Sequence, residues 1–172
     1  MNVKFYLIVG LVVLFFVACG PTTSYSTPFF RFSGVVNSNG DTLKAFTVGH
    51  DTLRMDTVKQ YDAVTFNLIM DGGYNYLTKF NIILSDTVNT RIEYPQYDAL
   101  GNVFSTSKSN FNRNRFVFGV NLVQLPMSFR YIIINKPVTT PVITLEVSND
   151  AVFPTNKSGS NTYSFKLRTP IK

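Results

Sequence analysis

The sequence predicts an all-β domain, built as an antiparallel β-sandwich, on three observations. Seven apolar runs alternate with period two, and none sustains over about 11 residues the 3.6 period of an amphipathic helix. Aromatic residues make up 15% of the chain, equal to the charged share, a balance that suits sheets stabilised by cross-strand ring pairs. Turn chemistry separates the runs, as at Asn39-Gly40 and Asp71-Gly72-Gly73.

The chain begins differently. Lys4 precedes an apolar stretch over residues 5–17, and the small Ala18 stands before Cys19. A basic residue, a short apolar core and a small residue are the three parts of an export signal. The stretch is shorter than the roughly 20 residues of a membrane-spanning helix. Residues 1–18 are therefore expected to be removed as a signal peptide, which takes away Lys4 and lowers the formal charge from +6 to about +5. Phe16-Val17-Ala18-Cys19-Gly20 resembles a bacterial lipobox, although Phe16 departs from the usual Leu or smaller aliphatic residue. The resemblance implies cleavage just before Cys19, lipid on its thiol, and a membrane as partner through that anchor. The alternative is an ordinary secretory signal followed by an unmodified cysteine. Residues 19–27, with Pro21 and several Ser and Thr, read as a lipidated tether, and residues 28–172 as a single folded domain. Cys19 is the only cysteine, so that domain is expected to hold by packing and hydrogen bonding alone.

The strands follow in order. The alternating runs cover residues 30–36, 64–70, 80–84, 116–122, 129–133, 143–147 and 163–167, and weaker segments near 43–48, 90–94 and 102–105 bring the expected total to nine or ten. Most runs have one polar face, as in two sheets packed face to face. A closed lipocalin-like β-barrel would show the same alternation and is the alternative fold. The long polar stretch 95–113 favours the sandwich, because up-and-down barrels use tight hairpins.

An aspartate and a threonine precede an aliphatic residue four times: Asp41-Thr42-Leu43, Asp51-Thr52-Leu53, Asp56-Thr57-Val58 and Asp86-Thr87-Val88. One reading is turn chemistry, with Asp closing a turn and Thr opening the next strand. The other is that the triplets resemble the O-glycosylation acceptor of exported Bacteroidetes proteins, which implies glycans on Thr42, Thr52, Thr57 and Thr87 and a surface position for each. The segment 40–66, together with Tyr74-Asn75-Tyr76-Leu77-Thr78-Lys79-Phe80, resembles the Ig-like lipoproteins of that phylum. This resemblance implies an Ig-like sandwich in the outer membrane of the cell envelope and carries no catalytic motif. Surface-exported lipoproteins of that group often carry acids just after the cysteine, whereas the first acid after Cys19 here is Asp41. That favours the periplasmic face.

Little in the sequence supports catalysis. His50 is the only histidine, so no multi-histidine metal site can be assembled, and a Ser-His-Asp triad would have to use His50 in a chain with no Gly-x-Ser-x-Gly elbow. Glu93 and Glu146 are the only glutamates, and each is expected on a solvated strand face, not as a glycosidase pair. Asp71-Gly72-Gly73 lacks the companion acids of a calcium loop and reads as a turn. The expectation is a protein that is not an enzyme and uses no metal or cofactor.

Binding residues are easier to nominate. Lys108, Arg113 and Arg115 flank Phe111 in the polar run 105–115, a pattern that can grip anions. An exported, tethered domain meets anionic polysaccharide or lipid headgroups sooner than nucleic acid, so no nucleic-acid partner is expected. Two function classes remain. The first is a non-enzymatic interaction or structural module with a protein or glycan partner on its loops. The second is a glycan-binding accessory of a nutrient-uptake system, with Tyr74, Tyr76, Tyr94 or Tyr97 stacking on sugar rings. The absence of Trp counts against the second.

Overall fold

The computed structural model describes residues 25–48, 50–94 and 102–172. Cys19, residues 1–18 expected as a signal peptide, and Tyr97 lie outside them. The described residues form ten strands: β1 (Phe29–Val36), β2 (Ala45–Thr47), β3 (Thr52–Met55), β4 (Ala63–Asp71), β5 (Leu77–Leu84), β6 (Thr90–Glu93), β7 (Arg115–Val117), β8 (Gln124–Ile133), β9 (Val142–Asn149) and β10 (Thr162–Arg168). They build two sheets, β1-β4-β8-β6 and β2-β3-β10-β9-β5-β7. Neither sheet closes on itself, so the barrel alternative does not hold. One pair departs from the antiparallel expectation: β3 runs parallel to β10, with Thr52, Leu53 and Arg54 opposite Lys166, Leu167 and Arg168.

Alternation explains why the sheets meet face to face. Val64, Phe66, Leu68 and Met70 of β4 point inward beside Met127, Phe129, Tyr131 and Ile133 of β8. From the other sheet come Phe80 and Ile82 of β5, Ile143, Leu145 and Val147 of β9, and Phe165 and Leu167 of β10. Rings join the layers directly: Phe30 of β1 meets Phe80 at 6.1 Å and Tyr163 at 6.1 Å, and Phe32 meets Phe165 at 5.1 Å. Within the first sheet Phe66 stacks on Phe129 at 5.0 Å, a cross-strand pair set by the β4–β8 register. A slip of one residue would turn these side chains to solvent, so the apolar face fixes the pairing.

Some segments differ from expectation. Strand β3 was not anticipated, because four residues rich in polar side chains carry too little alternation; it forms because β10 and β2 supply partners on both sides. Residues 102–105 make no strand and only a single bridge, Phe104 to Phe118. Strand β7 stops at Val117, and β8 begins at Gln124 and runs through Pro126. Proline is tolerated there because β6 pairs only with residues 130–133, leaving β8 an edge at Pro126.

Tyr25 and Ser26, expected to lie in the tether, make contacts with the sandwich. The Tyr25 ring lies 6.0 Å from that of Phe153, and the Ser26 hydroxyl donates to Gly72 O at 3.0 Å. Buried Asn149 closes this contact: its Nδ2 donates to Ser26 O at 2.7 Å and to Gly72 O at 2.9 Å. Tyr25 and Ser26 therefore belong to the folded body.

The registers also define two ends. At the end where the chain enters lie the loops 72–76, 118–123 and 150–161; at the opposite end lie 37–44, 56–62, 85–89 and 134–141.

Candidate functional site

The basic residues singled out in the sequence come together in a groove of about 430 Å³ on the outer face of the six-stranded sheet. Its floor spans three adjacent strands. Asn81 of β5 pairs with Glu146 of β9 on one side and Arg115 of β7 on the other. Alternation sends Lys79, Asn81 and Ile83 outward while Phe80 and Ile82 fill the core. Asn81 Nδ2 donates to Glu146 Oε2 at 3.3 Å, which fixes the amide on the floor.

Residues 105–114 form the wall. A dense set of hydrogen bonds makes this polar run a bracket. Asn110 N donates to Arg115 O at 2.7 Å and Arg115 N to Asn110 O at 3.0 Å. Ser109 Oγ accepts from Val117 N at 2.9 Å. A single 3-10 turn, Phe111–Arg113, is capped by Asn110 Oδ1 accepting from Arg113 N at 3.1 Å, and Asn114 leaves it with φ 52°. Behind the wall, Phe104, Phe111 and Tyr94 pack around the buried Phe116 at 4.9, 5.6 and 5.2 Å. This aromatic cluster explains why a polar run is ordered: its rings bury apolar surface while Ser and Asn satisfy the backbone.

The groove thus presents Lys79, Lys108, Arg113 and Arg115 around one carboxylate, Glu146. All four cations are exposed, and the ion pairs among the described residues involve other groups: Arg31 with Asp71, and Arg91 and Arg130 with Glu93. Lys79 escaped the sequence reading. The signal was present, since it alternates with buried Leu77 and Phe80 across a bulge, but only the neighbouring strands make it part of a site.

Of the nominated tyrosines among the described residues, Tyr94 stands apart from Tyr74 and Tyr76. Tyr94 is half-buried, donates its hydroxyl to Asn114 Oδ1 at 2.7 Å, and is pushed above the ordinary phenol range by burial. It is a packing residue, which corrects its expected role as an exposed sugar platform. Tyr74 and Tyr76 are exposed on the 72–76 loop, at the chain-entry end and away from the groove.

The Asp-Thr triplets separate into two kinds. Thr52 is buried in β3 and donates its hydroxyl to Asp51 Oδ1 at 3.1 Å, which corrects its expected surface position and leaves no room for a glycan. Thr42, Thr57 and Thr87 are exposed, all in loops of the end opposite the chain entry. At Asp86 the turn chemistry is explicit: the carboxylate accepts from Val88 N at 3.2 Å, Asn89 N at 3.0 Å and Asn89 Nδ2 at 2.8 Å. The Asn89 side chain, then its backbone amide, hold the Asp86 carboxyl below its ordinary value.

Glu93, Glu146 and Asp71 have structural partners. Glu93 and Glu146 belong to different sheets, and Glu93 is held by Arg91 at 2.7 Å and Arg130 at 3.4 Å. Asp71 is buried, accepting from Arg31, from Gln124 Nε2 at 2.8 Å and from Gly73 N at 2.8 Å. No group of three or more His, Cys, Asp or Glu among the described residues is placed to hold a metal ion. Compared with known proteins, the chain matches no family model and shows no significant similarity to a curated protein.

Proposed function

We propose that this protein is a non-enzymatic, envelope-anchored interaction module whose groove captures an anionic polysaccharide. The observation that carries the reading is the convergence of Lys79, Lys108, Arg113 and Arg115 on one braced surface. A repeating polyanion matches such a row, because each cation adds attraction without a deep pocket or a unique ligand shape. Glu146 and the Asn81 amide on the floor offer an acceptor and a polar contact for sugar hydroxyls between the charges.

The strand order supports an Ig-like sandwich as the scaffold. Sheet β1-β4-β8-β6 corresponds to the A-B-E-D order of immunoglobulin-like domains, and β10-β9-β5 to G-F-C. The single cysteine and the absence of Trp mean that packing replaces the disulfide and buried Trp of antibody domains. The signal-like segment and Cys19 support a lipid anchor in a bacterial outer membrane, as the resemblance to Bacteroidetes lipoproteins implies.

Titration of labelled dextran sulfate, with neutral dextran as control, tests the reading. The sulfated polymer binds and the neutral one does not. Binding weakens as salt shortens the Debye length from about 10 Å at 0.1 M to about 3 Å at 1 M. Reversing Lys108, Arg113 and Arg115 to Glu lowers affinity roughly tenfold or more, while these exposed positions leave melting within a few degrees. Equal binding of both polymers, or an unchanged affinity of the triple variant, overturns it. Turnover of any substrate that is lost in Glu146→Gln with folding intact overturns the non-enzymatic part.

A further inference from the structure

We propose that the chain-entry end of the sandwich rests on the lipid bilayer, with Tyr74 and Val152 dipping into the headgroup region. The inference builds on the anchor reading above and adds an orientation to it. Chain length supplies the first constraint. Tyr25, which packs on the body, lies six positions after Cys19. Even fully extended, this stretch spans only about 20 Å. A lipid on Cys19 therefore holds this end, and no other, within reach of the membrane surface.

The surface of that end suits such a neighbour. Tyr74 is 80% exposed on the 72–76 loop and Val152 is 77% exposed on the 150–161 loop, with Tyr76 and Val120 also open to solvent. Tyrosine favours the bilayer interface, where its ring is apolar and its hydroxyl remains hydrated. Lys157 sits over the Tyr25 ring at 5.6 Å, placing a cation where the tether leaves the body. The acids Asp150 and Asp71 at this end are engaged: Asp150 accepts from Tyr76 N at 2.9 Å, and buried Asp71 is paired with Arg31.

The two loops are also tied together. Asp150 N donates to Tyr76 O at 2.9 Å, and Asn149 bridges Gly72 to Ser26. They form one platform with the incoming chain, so docking costs little loop ordering. The opposite end exposes Tyr61, Val88 and Val138 as well, so exposure alone does not choose between the ends. The point of chain entry does. In this orientation the basic groove lies on the side wall, open to a ligand.

The absence of Trp makes a direct test available. Single tryptophans are introduced in the full, lipidated chain as Tyr74→Trp, Val152→Trp and Val138→Trp. Each protein is reconstituted on phosphatidylethanolamine–phosphatidylglycerol vesicles with or without brominated acyl chains. Tryptophan at 74 and at 152 should be blue-shifted and quenched roughly twofold by brominated lipid, as at a shallow interfacial depth, while that at 138 should not respond. Proteins that float with the vesicles but show no quenching at 74 and 152 overturn the orientation and leave the anchor standing. Quenching at 138 in place of 74 and 152 reverses it. Failure of all three to float with vesicles overturns the anchor and the orientation together.

Discussion

Replacing Asn149 with alanine removes the side chain on which three segments converge. Its Nδ2 donates to Ser26 O and Gly72 O, and its Oδ1 accepts from Ala151 N at 3.2 Å. Asn149 is 2% exposed; Gly72 O keeps the Ser26 hydroxyl and Asn75 N as donors, but the N–H of buried Ala151 loses its acceptor where water has poor access. A neutral hydrogen bond contributes about 1 kcal/mol net, and an unsatisfied buried group costs about 1–3 kcal/mol. Ser26 is only half-buried, and its carbonyl can be rehydrated. The total is about 2–4 kcal/mol, which for a domain of this size lowers the melting temperature by roughly 5–15 °C. Thermal denaturation followed by circular dichroism measures it. Asn149→Asp sharpens the case, because a carboxylate would face two carbonyl oxygens. It should be at least as unstable at neutral pH and partly rescued at acidic pH, where the protonated acid donates again. Truncation adds a second reading. Removing residues up to 24 should be neutral, whereas removing them up to 27 should destabilise much as Asn149→Ala does. An alanine variant that melts within a degree or two of the parent would refute the latch.

Three other outcomes are expected. Burial pushes the Tyr131 hydroxyl up to about 12 and raises Tyr94 as well, so both are neutral in the fold at a pH where the unfolded chain ionises. Their contribution is present below pH ~10 and is lost as pH rises toward the folded values, so a melting profile should fall above pH ~10 and fall less in Tyr131→Phe. Gly73 has φ 69°, and a Cβ there would collide with the Ser26 hydroxyl, so Gly73→Ala should cost about 1–3 kcal/mol in denaturant titration. Should the protein from its native host carry O-glycans on the Asp-Thr triplets, mass spectrometry should find them on Thr42, Thr57 or Thr87; a glycan on Thr52 would contradict its burial in β3.

Period-two alternation is a local property, and it determined most of the strands and the inward face of each, from Phe66 and Phe129 to Leu145 and Leu167. Residue inventory likewise determined what cannot be built, since one histidine and two glutamates limit the chemistry wherever the chain runs. The cation pattern at Lys108, Arg113 and Arg115 was visible too, but not that it forms the wall of a groove. Only the tertiary structure decided that, because the groove needs β7, β5 and β9 side by side, and the partners in that row, Arg115–Asn81 and Asn81–Glu146, lie 34 and 65 positions apart in the chain. Lys79 entered the site and Tyr94 left it for the same reason: exposure depends on what a distant strand or ring covers. Thr52 shows this most simply, since four identical-looking Asp-Thr pairs differ only in that β10 lies against one of them.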